Sequence, residues 1–122
     1  MKSIKKEARI LVLKECSSGF VVVVFRSSSI EDLALIPSKS FSEIDFMDRV
    51  KSMKSYLEIR YAVSPLDYCM LFGKLGIECI YGSRALEIYC RYRVMLDKLC
   101  RLLDRLYESI SYGFLYSVET LI

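Results

Sequence analysis

Residues 20–26 read Phe20-Val21-Val22-Val23-Val24-Phe25-Arg26, four consecutive valines between two phenylalanines. β-Branched side chains fit the pleated surface of a strand better than a helix. A strand with one wet face alternates apolar and polar residues, whereas an unbroken apolar run asks for cover on both faces. The rest of the chain must supply that cover. With 122 residues, 53% of them apolar, it can bury such a core without disulfide staples, and its length predicts a single domain over 1–122.

The neighbouring segments suggest what surrounds this strand. Residues 8–14, ARILVLK, read as a second short apolar strand, and Cys16-Ser17-Ser18-Gly19 between the two is a turn cluster, so an N-terminal hairpin is expected. Ser29 and Asp32 have capping-box spacing, which predicts a short helix from Ile30 to Ile36, stopped by Pro37. Ser42 is a stronger cap, with Asp45 three residues on and Phe41 and Phe46 placed as a hydrophobic staple. A helix from Glu43 to about Ser52 should follow. Residues 56–63 fit both a strand and one face of a helix, and Ser64-Pro65 ends them in either case. Residues 67–75 read as a helix closed by Gly76 in the C′ position. Residues 85–94 alternate, with Leu86, Ile88, Cys90, Tyr92 and Val94 on one side, and predict a half-buried strand. From Met95 to Glu108 the apolar period becomes helical.

Function classes fall away quickly. Without histidine there is no Ser-His-Asp or Cys-His arrangement and no histidine zinc site. The five cysteines contain no C-x-x-C pair, so zinc ribbons and thioredoxin-type motifs are excluded. Buried thiols or disulfides are the expected use of Cys16, Cys69, Cys79, Cys90 and Cys100, and the odd count leaves at least one of them free or paired between chains. There is no phosphate loop, and the carboxylate pairs Glu31/Asp32 and Asp45/Asp48 are better explained by helix N-termini than by the alternative, a small enzyme with a carboxylate site. No catalytic residue, metal or cofactor is therefore expected. The charged start lacks the apolar core of a signal peptide, and the longest strongly apolar run, Phe20 to Phe25, is far short of the ~20 residues of a membrane span. A cytoplasmic protein is expected. The absence of Asn and Gln beside many Lys, Arg and Glu fits a thermophile.

What remains is binding. A net charge of +3 permits nucleic-acid contact without arguing for it. Arg49, Lys51, Lys54 and Arg60, with Tyr56 and Tyr61 among them, offer cations for phosphates and rings for bases. The alternative is a solvated face whose tyrosines pack inward. The apolar ending, GFLYSVETLI, suggests a segment packed in the core or docked on a partner.

The order Glu58-Ile59, Ser64-Pro65, then an amphipathic segment closing on Leu75-Gly76-Ile77, resembles the CGI family of small KEOPS subunits. The match covers roughly residues 49–92 and the tail. The resemblance implies an archaeal, non-catalytic accessory subunit that binds and stimulates the atypical kinase/ATPase subunit. It also implies help in recruiting tRNA, through the 3′ CCA end, for threonylcarbamoyladenosine modification. The kinase contact would fall on Phe114, Leu115, Val118, Leu121 and Ile122, and the RNA contact on Arg49, Lys51, Lys54 and Arg60. Ala62 stands where one family pattern has Arg. The resemblance also makes 56–63 a helix. The expected fold is thus α+β: a small, mainly antiparallel sheet, built from the N-terminal hairpin and a strand near 85–94, packed with about five helices. The alternative is a stand-alone small α/β nucleic-acid-binding protein of a thermophile or its virus.

Overall fold

The computed structural model describes residues 8–36, 42–65 and 68–106. Three strands come first, β1 (Arg9–Glu15), β2 (Phe20–Arg26) and β3 (Ser29–Ile36). They lead into α1 (Glu43–Lys51), a 3-10 turn at Tyr56–Glu58, β4 (Ile59–Val63), α2 (Cys69–Lys74), β5 (Glu78–Ile80) and α3 (Ser83–Arg91). Residues 93–106 form a further helix, α4. The fold is α+β, with one five-stranded sheet ordered β3-β2-β1-β4-β5. β2 is antiparallel to both its neighbours, while β1–β4 and β4–β5 are parallel, so β2 alone runs against the other four.

The valine run is covered on both faces, as its lack of alternation requires. Val21 and Val23 pack with α3 and α4, and Val22 and Val24 pack with α1 and α2. β1 divides the same way, Ile10 and Val12 to one layer and Leu11 and Leu13 to the other. The expected hairpin is present, with Val12 opposite Val23 and the turn closed by the Cys16 N–H on the Gly19 carbonyl at 2.8 Å.

Two helix ends follow their sequence signals. The Ser42 side chain accepts the Asp45 N–H at 3.1 Å and caps α1. After α2, Gly76 takes a φ of +75°, and the Ile77 N–H reaches back to the Phe72 carbonyl at 2.9 Å. That is the 6→1 bond of a Schellman motif, with Phe72 and Ile77 buried in one cluster. Phe41 and Pro37 lie outside the described residues.

Other expectations are corrected. Residues 30–36 are not a helix but most of β3, because pairing with β2 from Phe20↔Ile36 to Arg26↔Ser29 outweighs a local cap signal. Asp32 serves tertiary structure instead, accepting the N–H of Ser55 at 3.1 Å. Residues 56–63 are a 3-10 turn followed by β4, so the alternation of Ile59, Tyr61 and Val63 is nearer the truth than the helix. Residues 85–94 are not a strand: they hold most of α3, with Ala85 and Ile88 on its buried face. The sheet is consequently mixed rather than mainly antiparallel, and four α-helices are described rather than about five.

Cys16 is bonded to Cys100, joining the β1–β2 turn to α4, and Cys69 to Cys79, joining α2 to β5. Cys90 is the free, exposed thiol that the odd count requires. Among the described residues no helix is long and apolar enough to cross a membrane.

Candidate nucleic-acid interface

α3 and α4 act as one rod. The break between them is the single residue Tyr92, whose N–H still bonds to Ile88 and whose carbonyl accepts the Leu96 N–H at 2.9 Å. Ala85, Ile88, Tyr92, Leu96, Leu99 and Leu103 recur every three or four residues and all lie in one core cluster. The apolar seam therefore crosses the break without changing face. The rod is tied to the sheet layer at several points along its length. The Tyr92 ring stacks on Phe25, and its hydroxyl donates to the Ser27 carbonyl. Cys100 is bonded to Cys16. Asp104 accepts the Ser18 N–H at 3.1 Å.

Charge is concentrated on this rod. Residues 83–106 hold six cations against three acids, an excess equal to the net +3 of the whole chain. Four of the cations, Arg84, Arg91, Lys98 and Arg105, are spaced by seven residues. Seven residues return a helix to within about 20° of the same side, ~10.5 Å further along. The four thus form a stripe on one flank of the seam, drifting by about 60° between Arg84 and Arg105. Asp97 and Asp104 fall on the other flank, where Asp97 meets Arg93 at 3.9 Å and Asp104 is committed to Ser18.

Beside the stripe runs a groove of about 710 Å³. Ile10, Phe25 and Ile88 lie along it, Arg84, Arg91 and Lys98 edge it, and the Ser27–Ser28 turn closes one side. Ser27 takes a φ of 57°, the left-handed region, and its carbonyl is held by Tyr92. Ser27 and Ser28 are both exposed and line the groove together with the cations.

The sheet also has a topological switch point. The chain leaves β3 on one side of β1 and returns as β4 on the other, and in open sheets ligands collect at the carboxyl ends of such strands. A hollow of about 540 Å³ lies there, lined by Lys14, Glu15, Ser17, Pro65 and Tyr89. Its chemistry is thin. Tyr89 donates its hydroxyl to the Leu13 carbonyl at 2.8 Å, and burial pushes its pKa up to about 12. It is a neutral, engaged donor rather than a base. Glu15 is the one carboxylate in the lining, and among the described residues no group of three His, Cys, Asp or Glu side chains could hold a metal.

The residues expected to contact RNA belong to a different surface. Arg49 and Lys51 end α1, Lys54 comes in the next turn, and Arg60 sits at the irregularity where β4 slips against β1. All four are exposed and lie between the last turn of α1 and the start of β4, on elements other than the rod. Tyr56 and Tyr61 pack partly against the two cores, and the Tyr56 hydroxyl is directed to the Leu75 carbonyl. Ala62, in β4, is fully buried. Phe114, Leu115, Val118, Leu121 and Ile122 lie outside the described residues. The stripe is readable in the sequence as a seven-residue repeat of cations, but taking 85–94 for a strand places Arg84 and Arg91 outside any helix. Comparison with family models, with curated proteins and with solved structures returns no match.

Proposed function

We propose that this chain is a non-catalytic nucleic-acid-binding protein whose phosphate-contacting face is the α3–α4 rod. The observation that carries the reading is the stripe Arg84, Arg91, Lys98 and Arg105, which lies on a rod whose charge excess equals that of the whole chain. A basic stripe along a helix is the electrostatic footprint of phosphate recognition. The test is fluorescence anisotropy with a labelled nucleic acid at low salt. Reversing Arg91 and Lys98 to Glu together should weaken binding by more than about tenfold, since each phosphate contact displaces counterions. The pair Arg49→Glu and Lys51→Glu should weaken it far less. Equal affinity for the wild type and the Arg91/Lys98 variant sinks the reading.

A narrower form takes the nucleic acid to be tRNA and the chain to be a KEOPS accessory subunit that also binds the atypical kinase subunit. Its support is the residue pattern of 49–92. The secondary structure lends it none, since β4 and α3 occupy the places where the resemblance implies a helix and a strand. Co-purification with that kinase subunit tests it, together with Val118→Arg and Leu121→Arg, which should abolish the complex. A mixture that elutes as two separate species removes the narrower form and leaves the broader one standing.

A further inference from the structure

A rod that grips phosphates, as just proposed, must also suit one form of nucleic acid better than another. Resting on that reading, we propose that the face binds duplex rather than single-stranded nucleic acid, through the phosphate backbone and without reading base sequence. Three observations converge on this. First, the cations are held at fixed intervals by a helical rod that is itself fixed to the sheet by the Cys16–Cys100 bond, the Asp104–Ser18 bond and the Tyr92–Phe25 stack. From Arg84 to Arg105 the stripe spans roughly 32 Å, from a rise of 1.5 Å per residue. One turn of a DNA duplex covers about 34 Å. A rigid row of charges is matched best by a rigid row of phosphates, and a duplex is stiff over about 50 nm. A single strand must be ordered on the surface before it can offer the same array.

Second, proteins that hold single strands offset that ordering by stacking bases on exposed rings. The groove beside the stripe offers none: its two rings, Phe25 and Tyr92, are 1% and 8% exposed and are stacked on each other. Tyr81, which is exposed and precedes the rod, does not line the groove, and one ring could hold only one base. Third, the other polar groups bordering the groove suit phosphate. Ser27 and Ser28 present hydroxyls of the kind that meet phosphate oxygens and fix register without carrying sequence information. The one acid in the lining, Glu87, would discourage an anion at its own position and leaves the stripe as separated contact points rather than a continuous field.

The deciding measurement is anisotropy titration with four probes: a mixed-sequence 20-base-pair DNA duplex, the RNA duplex of the same sequence, and one single strand of each. Salt is varied for every probe. At least one duplex is expected to bind ten or more times tighter than its own single strand. The slope of log K against log salt for that duplex should be about −2.7 to −3.6, from three or four phosphates at about −0.9 each. Arg91→Ala with Lys98→Ala should make the slope shallower by about 2 units, and scrambling the duplex sequence should change affinity less than about threefold. Single strands that bind as tightly as the duplexes overturn this inference while leaving nucleic-acid binding intact. Failure of all four probes to bind overturns both. Both substituted side chains are exposed, so a urea midpoint matching the wild type separates lost contacts from lost fold.

Discussion

The ring of Tyr92 lies flat on that of Phe25, with centroids 3.8 Å apart and planes 12° from parallel. Phe25 belongs to β2 and Tyr92 is the one residue between α3 and α4, so the contact joins the sheet to the rod at the rod's own break. Two roles can be separated by substitution. Tyr92→Phe keeps the stack and removes the hydroxyl donated to the Ser27 carbonyl, and should cost about 1 kcal/mol. Tyr92→Ala also opens a cavity between the layers and should cost about 3–5 kcal/mol. Urea denaturation of the two variants checks the ordering. Equal losses would mean that the stack contributes nothing beyond the hydrogen bond.

The disulfides should differ in strength by loop length. Cys16–Cys100 spans 84 positions and Cys69–Cys79 spans 10. Cross-linking lowers the entropy of the unfolded chain more for the longer loop, so replacing the pair Cys16 and Cys100 with Ser should cost about 4–5 kcal/mol, against about 3 kcal/mol for Cys69 and Cys79. Thermal unfolding of the two double variants, with and without a dithiol reductant, is the measurement. A larger loss at Cys69–Cys79 would show that native packing near Ser64, whose Oγ lies 3.6 Å from the Cys79 sulfur, outweighs the chain-entropy effect.

Tyr89 predicts an alkaline limit. Burial raises its pKa from 10.0 to about 12 in the folded protein. The neutral phenol is favoured by folding, so its contribution is fully present below pH 10 and is lost as pH rises through 12. Stability should therefore fall between pH 10 and 12, in a phase that Tyr89→Phe removes. That variant should lose about 1 kcal/mol at neutral pH, because the hydroxyl no longer donates to the Leu13 carbonyl. Unfolding midpoints measured from about pH 8 upward to pH 12 for both proteins decide it, and identical alkaline profiles would clear Tyr89 of the effect.

These elements also show where sequence and fold part company. The valine run announces its two-sided cover because no one-sided strand can carry it, and Ser42 and Gly76 announce helix ends because their chemistry is local. β3 is hidden, since Ser29 and Asp32 mimic a cap and only the neighbouring β2 reveals the segment as a strand. The parallel pairing of β4 is hidden too, because strands far apart in the chain leave no local mark of direction. The rod is obscured for a different reason. Leu86, Ile88, Cys90, Tyr92 and Val94 alternate by coincidence, and a period of two over ten residues outshines a three-and-four seam that is clear only when traced on to Leu103. The charge stripe is lost with it.

That coincidence supplies the most direct test of the helix. A strand over 85–94 would bury Leu86 and Val94 beside Ile88. In α3 and α4 Leu86 is 64% exposed and Val94 68%, while Ile88 is 4% exposed. Leu86→Ser and Val94→Ser should each change stability by no more than about 0.5 kcal/mol, the usual range for a surface substitution. Ile88→Ala and Leu99→Ala remove side chains from the seam and should each cost about 2–5 kcal/mol. Urea midpoints for the four variants give the answer. A loss at Leu86 as large as that at Ile88 would restore the strand, and would separate Arg84 and Arg91 from Lys98 and Arg105, so that the four cations no longer share one flank.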